Sequence, residues 1–469
     1  MENLLNRIFK LQESKTRIRT EVCAGLTTFL AIAYILAVNP AILGDAGMNR
    51  GGVFVATALA AFIGSTVMAF LGNFPFVLAP GMGLNAYFTY AIVKTFGFSW
   101  QFALFAVFCE GLIFFVLSLS NVREAICNGI PMPLKNAVCA GIGLYIALIG
   151  CVNAHVVVGH EATLITMCDF NGRTFHTAGI SAVFALTGVV ITGVLLYKRI
   201  KGALLWSILV IYILGLLAEM TGLYVPADGY NSLVPSFKAE NFSRIFSGFS
   251  DVFGAAFDAG SWTRSGSAVK GFPLALSLDF LVIIFALLFV DLFDTIGVLT
   301  GTAAKADMLD EQGRLPGIRG ALLADSIATS AGAVLGTSTT TTYIESAAGV
   351  AAGGRTGLTA LTAGLFFVLS LALAPVFLAV PLFATAPVLI TVGFLMMSSV
   401  RKIDFDDIPS AIPCFITIIA MPFFYSIAEG ICLGIISWTA LNLLVGRRER
   451  VSLLLVVLSL LFIIKYAFL

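Results

Sequence analysis

Two carboxylates lie in a segment that is long and apolar enough to cross a lipid bilayer. The run from Phe280 to Leu299 reads FLVIIFALLFVDLFDTIGVL and contains Asp291 and Asp294. A transmembrane helix needs roughly 20 apolar residues, and one Asp at its centre costs on the order of 2.5 to 3.5 kcal/mol. Residues at i and i+3 share a helix face, and intramembrane carboxylates mark ion, proton or substrate pathways. The pair therefore predicts a transporter.

The composition is that of a polytopic membrane protein. Of the 469 residues, 59% are hydrophobic and 11% are charged, against roughly 45 to 50% and about 25% in soluble proteins. The formal net charge of +1 leaves no basic excess, so we expect no nucleic-acid partner. No CxxC pair and no cleavable signal pattern are present, so neither a metal site nor a processed N-terminus is predicted.

Hydropathy predicts an all-α protein with two sets of seven spans. Most Lys and Arg residues fall on the inner side if the N-terminus is cytosolic, which indicates a multi-pass protein of the cytoplasmic membrane. An odd number of spans per half gives the two halves opposite orientations. A further apolar segment, 451–469, either spans or lies along the membrane. The predicted spans are 21–43, 53–72, 79–93, 101–120, 131–150, 177–197, 203–222, 279–300, 320–336, 338–352, 357–380, 385–400, 410–426 and 428–445.

The halves correspond in spacing, which predicts an inverted repeat. We assign residues 1–222 and 279–469 to the two repeats and 223–278 to an extracytoplasmic connection. Short segments interrupted by Gly, Pro and Thr occur in both halves, and their polar centres, Asn85 and Glu345, are 260 positions apart. Paired broken segments indicate a transporter binding site, because half-helix ends and unpaired backbone groups face a ligand at the midplane.

The two broken segments and the eighth span together define one candidate site. Its side chains are Asn85, Asp291, Asp294 and Glu345, all near mid-membrane depth. Hydroxyl groups just before the second half-helix either cap it or contact the ligand, and Pro80, Gly81 and Gly83 let the first segment approach a ligand closely. We assign Glu110 a structural role. The hydroxyl residues are Thr337, Ser338, Thr339 and Thr340.

Such a site suits a flat heterocycle that carries both hydrogen-bond donors and acceptors. Carboxylates and an amide accept from N–H groups, while hydroxyls and capped helix ends donate to ring nitrogens or carbonyl oxygens. A buried carboxylate that alternates between charged and neutral forms also couples transport to protons. Three alternatives remain open: an anion exchanger on the same fold, a membrane enzyme and a channel. An enzyme would place a His, Ser/Lys or metal cluster at a membrane face, and none is visible in the sequence.

Three stretches of the chain resemble the AzgA-like branch of the nucleobase:cation symporter superfamily, whose members are adenine, guanine and hypoxanthine permeases. The matching text is APGMGLNAYFTY, FVDLFDTIGVLTG and GTSTTTTYIESAAGVAAGGRTGLTA, beginning at Ala79, Phe289 and Gly336. The resemblance implies a uracil-permease-like fold of seven plus seven inverted segments with two half-helices. It also implies a core domain of spans 1–4 and 8–11, a gate domain of spans 5–7 and 12–14, and an elevator-like cycle.

Carried over by position, the resemblance implies that Asn85, Glu345 and one of the two aspartates contact a purine base. Alignment of DTIG with related uracil and xanthine carriers favours Asp294 as the substrate carboxylate and Asp291 as coupler or organiser. Asp291, Asp294 and Glu345 are the candidates for proton coupling, with sodium left open and no bound cofactor expected. Where the uracil branch has a His, this chain has Val298, which argues against uracil. The preferred purine and a homodimer are left undetermined.

Overall fold

The computed structural model describes residues 2–119, 131–160, 163–170, 174–225, 233–266, 269–305, 308 and 315–468. The described chain is helical, with two short strand pairs. The strands are β1 (Leu78–Pro80), β2 (Val157–His160), β3 (Leu164–Met167) and β4 (Thr340–Thr342). The helices are α1 (Glu2–Phe9), α2 (Ile18–Ile32), α3 (Ile35–Asp45), α4 (Arg50–Val67), α5 (Met82–Ala86), α6 (Trp100–Leu119), α7 (Met132–Asn153), α8 (Ile180–Tyr197), α9 (Ala203–Met220), α10 (Ala239–Val252), α11 (Leu278–Lys305), α12 (Ile318–Leu335), α13 (Ser346–Ala351), α14 (Gly357–Leu369), α15 (Ala374–Ala379), α16 (Leu382–Met397), α17 (Ile408–Phe423), α18 (Ile427–Leu444) and α19 (Leu453–Phe468).

The helices follow the predicted spans. Within the described residues, nine helices are long and apolar enough to cross a membrane, and three shorter apolar helices follow near the C-terminus. The first predicted span consists of α2 and α3, separated at Ala33 and Tyr34. The predicted eighth span, which carries both aspartates, is the single 28-residue helix α11. At about 1.5 Å per residue, α11 is longer than the roughly 30 Å hydrocarbon layer requires.

The third and tenth spans are interrupted as the sequence predicts. In the third, β1 leads into α5, and a π-helical stretch from Tyr87 to Thr95 continues it. In the tenth, β4 leads into α13. Non-helical backbone at membrane depth is tolerated only where its polar groups are satisfied by protein or by a cavity. Here β1 and β4 satisfy each other as an antiparallel pair, which we call the strand pair.

Equivalent elements of the two halves pack against each other. The strand pair joins the third and tenth spans, and α7 of the fifth span packs on α16 of the twelfth. At the helix crossing, a Cβ on Gly143 would lie 2.6 Å from the carbonyl oxygen of Gly393, and one on Gly393 would lie 2.4 Å from that of Gly143. Reciprocal contacts of this kind are expected about the pseudo-two-fold axis of an inverted repeat.

The structure adds detail to two segments of the chain. The predicted connection 223–278 contains an amphipathic helix, α10, which packs against α4. The C-terminal apolar segment forms α19, which runs antiparallel along α18. Ser459 bonds to Thr439 at 2.8 Å, and the Tyr466 hydroxyl donates to Glu429 near the start of α18. The segment therefore packs lengthwise against α18, with contacts from Thr439 to Glu429.

Candidate functional site

The strand pair places the two half-helices side by side. Leu78 faces Thr342 and Pro80 faces Thr340 in the register. The pairing extends at both ends, because the Gly81 amide donates to the Thr339 carbonyl at 2.9 Å and the Tyr343 amide donates to the Val77 carbonyl at 3.0 Å. Each strand comes from a different half of the chain. The backbone of the candidate site is therefore shared equally between the repeats.

Asn85 lies within α5 and contacts the chain just before β4. Its side-chain oxygen accepts a hydrogen bond from the Ser338 hydroxyl. The residue is fully buried, and its amide nitrogen has no hydrogen-bond partner among the described residues. An unpaired buried donor is costly, on the order of 1 to 3 kcal/mol. This nitrogen is therefore available to an acceptor other than the described residues.

Glu110 of α6 contacts both the tenth span and α11. Its Oε2 accepts a hydrogen bond from the Thr339 hydroxyl at 2.7 Å, and its carboxyl group lies close to that of Asp291. Both acidic side chains are fully buried. Two carboxylates that lie close together in a buried site repel each other, and a proton on either one relieves that repulsion.

The hydroxyl of Thr295 connects β4 with α11 and α12. Its oxygen lies 2.9 Å from Oδ2 of Asp325, 2.8 Å from the Thr341 hydroxyl and 3.3 Å from Oδ1 of Asp291. A hydroxyl group donates a single hydrogen. Of the two carboxylates, Asp325 is nearer to the Thr295 hydroxyl than Asp291 is, so we assign the hydrogen to the contact with Asp325. The Thr341 hydroxyl is then the donor in its contact with Thr295. A third buried carboxylate, Asp325, thus belongs to the same network.

Glu345 follows β4 by three residues and occupies the N-cap position of α13. Its Oε1 accepts a hydrogen bond from the Tyr34 hydroxyl at 2.9 Å. Unlike Asn85 and Asp291, it is only partly buried, and its neighbour Ile344 is 55% exposed. Glu345 is therefore the most accessible of the polar candidate side chains that the structure describes. The side chain of Asp294 lies outside the described residues, so the structure places only its backbone, in α11.

The hydroxyl run before α13 does not cap that helix, contrary to one sequence-based expectation. The run continues as β4, and α13 begins only at Ser346, with Glu345 at its N-cap and no side-chain cap bond. Thr337 instead accepts a hydrogen bond from the Asn39 side chain at 2.8 Å. The Thr340 hydroxyl, although fully buried, has no hydrogen-bond partner in the described part of the chain.

The glycines of the first broken segment do permit close approach, but to protein atoms. A Cβ on Gly81 would lie 2.8 Å from the Thr341 methyl group, and one on Gly83 would lie 3.0 Å from the Ile142 side chain of α7. Pro80 is paired with Thr340 within the strand pair. These residues therefore explain how the strand pair and α5 pack tightly, whereas direct backbone contact with a ligand stays a prediction.

Sequence reasoning missed three residues of this network or their roles. Glu110 was assigned a structural role, Asp325 was not singled out, and nothing pointed to Tyr34. The two acidic residues carry the signal that identified Asp291, since each is a carboxylate inside an apolar helix. Tyr34 carries no such signal, because a tyrosine at a helix junction is common. No group of three or more His, Cys, Asp or Glu within the described residues is arranged to hold a metal ion.

A bundle of apolar helices with two paired half-helices and buried acidic groups between them defines a multi-pass membrane transporter. The Permease family model Xan_ur_permease matches residues 19–433, and the chain belongs to this family. Adenine permease AdeQ of Escherichia coli strain K12 is 39% identical over 98% of this chain and 96% of the relative. Guanine/hypoxanthine permease PbuO of Bacillus subtilis strain 168 is 38% identical over 98% of this chain and 99% of the relative. These relatives are permeases rather than enzymes, and they confirm the resemblance to purine permeases.

A solved structure supports the architecture. The transmembrane domain of a cyanobacterium bicarbonate transporter, BicA, matches with a TM-score of 0.60 over 88% of this chain and 97% of that chain, at 16% sequence identity. At this level of identity the likeness shows the fold alone. It confirms the predicted inverted repeat of seven plus seven segments.

Proposed function

We propose that the protein is a secondary active transporter that imports adenine, guanine or hypoxanthine by proton symport across the cytoplasmic membrane. The observation that carries the proposal is the placement of Asn85 and Glu345. Asn85 lies in the half-helix that follows β1, and Glu345 is the N-cap of the half-helix that follows β4. Asp291 lies 3.3 Å from the Thr295 hydroxyl, which contacts Thr341 of β4. The purine permeases among the relatives support the same substrate class.

The donor and acceptor pattern of these residues suits a purine edge. The Asn85 amide nitrogen, which has no described partner, is a donor for a ring nitrogen or a carbonyl oxygen of the base. The carboxylate of Glu345 accepts from a ring or exocyclic N–H, and we assign the same task to Asp294. Thr339 and Thr340 complete the proposed contacts. A site that pairs every polar group of its substrate discriminates strongly against analogues that lack one, because a buried group is then left unpaired.

Proton coupling is proposed at Glu110 and Asp291, whose carboxyl groups are fully buried and close to each other. The Thr339 hydroxyl links Glu110 to the chain that leads into β4. A change in the protonation of this pair therefore alters a hydrogen bond at the proposed binding segment. Asp294 and Glu345 remain coupling candidates, and no bound cofactor is proposed.

We propose that spans 1–4 and 8–11 form a core that moves against a gate of spans 5–7 and 12–14. The strand pair supports this division, because it links the third and tenth spans by backbone hydrogen bonds. The two half-helices are then expected to move together rather than separately. The proposed orientation places the N-terminus in the cytosol, as the distribution of Lys and Arg predicts.

The test is uptake of labelled adenine, guanine and hypoxanthine by a host that lacks purine transport. Saturable uptake, competition by unlabelled purines but not by bicarbonate, and inhibition by a protonophore are expected. Absence of saturable purine uptake would disprove the substrate assignment, and uptake unaffected by the protonophore would disprove proton coupling.

Two substitutions test the proposed site. Asp294→Asn and Glu345→Gln should each reduce uptake about 10- to 100-fold, since each removes a charged hydrogen-bond acceptor worth on the order of 1.5 to 3 kcal/mol and leaves its partner unpaired. The amount of protein in the membrane, measured by immunoblot, should stay at the wild-type level. Wild-type kinetics in both variants would show that the site is wrongly placed.

A further inference from the structure

Tyr34 connects the first span to the candidate site through its hydroxyl group. It lies at the junction of α2 and α3 and is 1% exposed. The hydroxyl donates to Oε1 of Glu345 at 2.9 Å, across 311 positions of the chain. The carbonyl of Tyr34 accepts hydrogen bonds from the Ala37 and Val38 amides at 3.1 and 3.0 Å. Its backbone is therefore fixed within the helix pair, so the hydroxyl starts from a rigid element.

A second tyrosine beside it has a different partner. The rings of Tyr34 and Tyr343 are tilted by 53° to each other with centroids 6.5 Å apart, but the Tyr343 hydroxyl donates to the backbone carbonyl of Pro80 at 2.5 Å. Tyr343 thus ties β4 to β1. The Tyr34 hydroxyl instead bonds to the carboxylate of Glu345, which lies two residues after Tyr343 in the chain.

The Glu345 carboxylate keeps capacity for further hydrogen bonds after Tyr34 has donated. An ionised carboxylate offers about four lone-pair sites on two oxygens. Tyr34 occupies one of them, and the backbone amide of Glu345 also interacts with the carboxylate. The residue is partly exposed beside the largely exposed Ile344. The carboxylate is thus held on one side and accessible on another.

We infer that Tyr34 is a positioning residue that holds the Glu345 carboxylate in the orientation required to accept a hydrogen bond from the base. The inference rests on the proposed function, in which Glu345 contacts the purine. A glutamate side chain that is already oriented loses less conformational freedom on binding. A binding group must also be held by neighbours whose own conformations are fixed. Tyr34 meets that condition because it is buried at a helix junction.

The decisive substitution is Tyr34→Phe, which removes one oxygen and keeps the ring. Loss of a hydrogen bond to a charged group predicts a rise of about ten-fold or more in the KM for the transported base. The maximal rate should stay within about two-fold, since the translocating parts are unchanged. Tyr212→Phe is the matched control. Its hydroxyl donates to the carbonyl of Leu233 at 2.5 Å, away from the candidate site, so KM should not change.

A spectroscopic measurement separates this inference from the proposed function. The infrared carboxyl band of Glu345, identified by its absence in Glu345→Gln, should shift in purified Tyr34→Phe protein because its hydrogen-bond donor is gone. This readout does not require transport. If the wild type takes up no purine while the band shifts, the proposed function fails and the contact stands. An unshifted band, or a wild-type KM in folded Tyr34→Phe, would overturn the inference.

A second variant applies if Tyr34→Phe fails to fold. Tyr34→His keeps an aromatic donor but is shorter, so it cannot donate from the same place. We expect a raised KM and a shifted carboxyl band in this variant as well. A wild-type KM together with an unshifted band in Tyr34→His would overturn the inference equally.

Discussion

Thr339 and Thr340 are neighbours in the chain, but their hydroxyl groups have different surroundings. Both residues are fully buried. The Thr339 hydroxyl donates to Glu110, whereas the Thr340 hydroxyl has no partner within the described residues. Valine has nearly the same shape as threonine but lacks the hydroxyl, so the two positions allow the contribution of one hydrogen bond to be measured.

We expect Thr339→Val to lower the free energy of unfolding by about 1 to 3 kcal/mol, because the buried Glu110 carboxylate loses its donor. Thr340→Val should instead leave it unchanged or raise it by up to about 1 to 3 kcal/mol, because it removes a buried hydroxyl that has no partner among the described residues. Thermal unfolding of both purified variants in the same detergent gives the comparison. Equal losses in the two variants would contradict the assigned hydrogen bond, and reduced uptake in a stable Thr340→Val would support substrate contact by Thr340.

Sequence patterns identify the acidic residues of this network better than their partners. A carboxylate inside an apolar helix is conspicuous because of its insertion cost, and this argument located Asp291 and Glu345 and extends to Asp325. Hydrogen-bond partners cannot be obtained in the same way, since they depend on how distant helices pack. The contacts of Glu110 with Thr339 and of Tyr34 with Glu345 join residues 229 and 311 positions apart.

At the scale of elements, the crossing of α7 and α16 depends on two glycines. Because a Cβ at either Gly143 or Gly393 would lie within 2.6 Å of the opposite carbonyl oxygen, any larger residue must push the helices apart. Glycine is otherwise unfavourable in a helix by about 1 kcal/mol relative to alanine. Close packing of the two helices offsets that cost.

Gly143→Ala should therefore destabilise the protein by about 1 to 3 kcal/mol, the usual range for overpacking. Gly193→Ala in α8 is the control, since a Cβ there meets no atom within 4 Å. The control should be neutral or slightly stabilising. Denaturant or thermal unfolding of both variants checks the prediction, and equal stability of Gly143→Ala and the wild type would show that the helices do not cross at this point.

The existence of the elements was predictable, but their exact form was not. Pro80 and the glycines of the first broken segment correctly predicted an interruption of the helix. The extended form of the Thr run depends on pairing with β1, so its local sequence suggested a helix cap instead. Likewise the sequence did not predict α10 within the polar connection, because its apolar residues are buried only by packing against α4.

At the scale of the whole molecule, one polar contact joins the proposed core to the proposed gate. The Tyr90 hydroxyl donates to Oδ2 of Asp45 at 2.9 Å, and the Asn153 amide donates to the Tyr90 hydroxyl at 3.1 Å. Tyr90 and Asp45 belong to the third and first spans, whereas Asn153 ends α7 of the fifth span. An elevator movement must break the contact with Asn153 and keep the contact with Asp45.

Cross-linking tests this difference. In a background without native cysteines, a short thiol cross-linker between Tyr90→Cys and Asn153→Cys should abolish purine uptake, and reductive cleavage of the linker should restore it. The same linker between Tyr90→Cys and Asp45→Cys should leave the uptake of that double variant unchanged. Normal uptake after cross-linking positions 90 and 153 would argue against relative movement of the two parts.

The strand pair also constrains the order in which the protein is made. Leu78 pairs with Thr342, which follows it by 264 residues. At about 5 to 20 residues per second, the ribosome needs roughly 15 to 50 s to synthesise that interval. During this time the backbone groups of β1 lack their final partners, and an unsatisfied group in hydrocarbon costs several kcal/mol. The third span is therefore expected to reach its final position only after the tenth span has been inserted, which makes assembly of the binding site a late event in biogenesis.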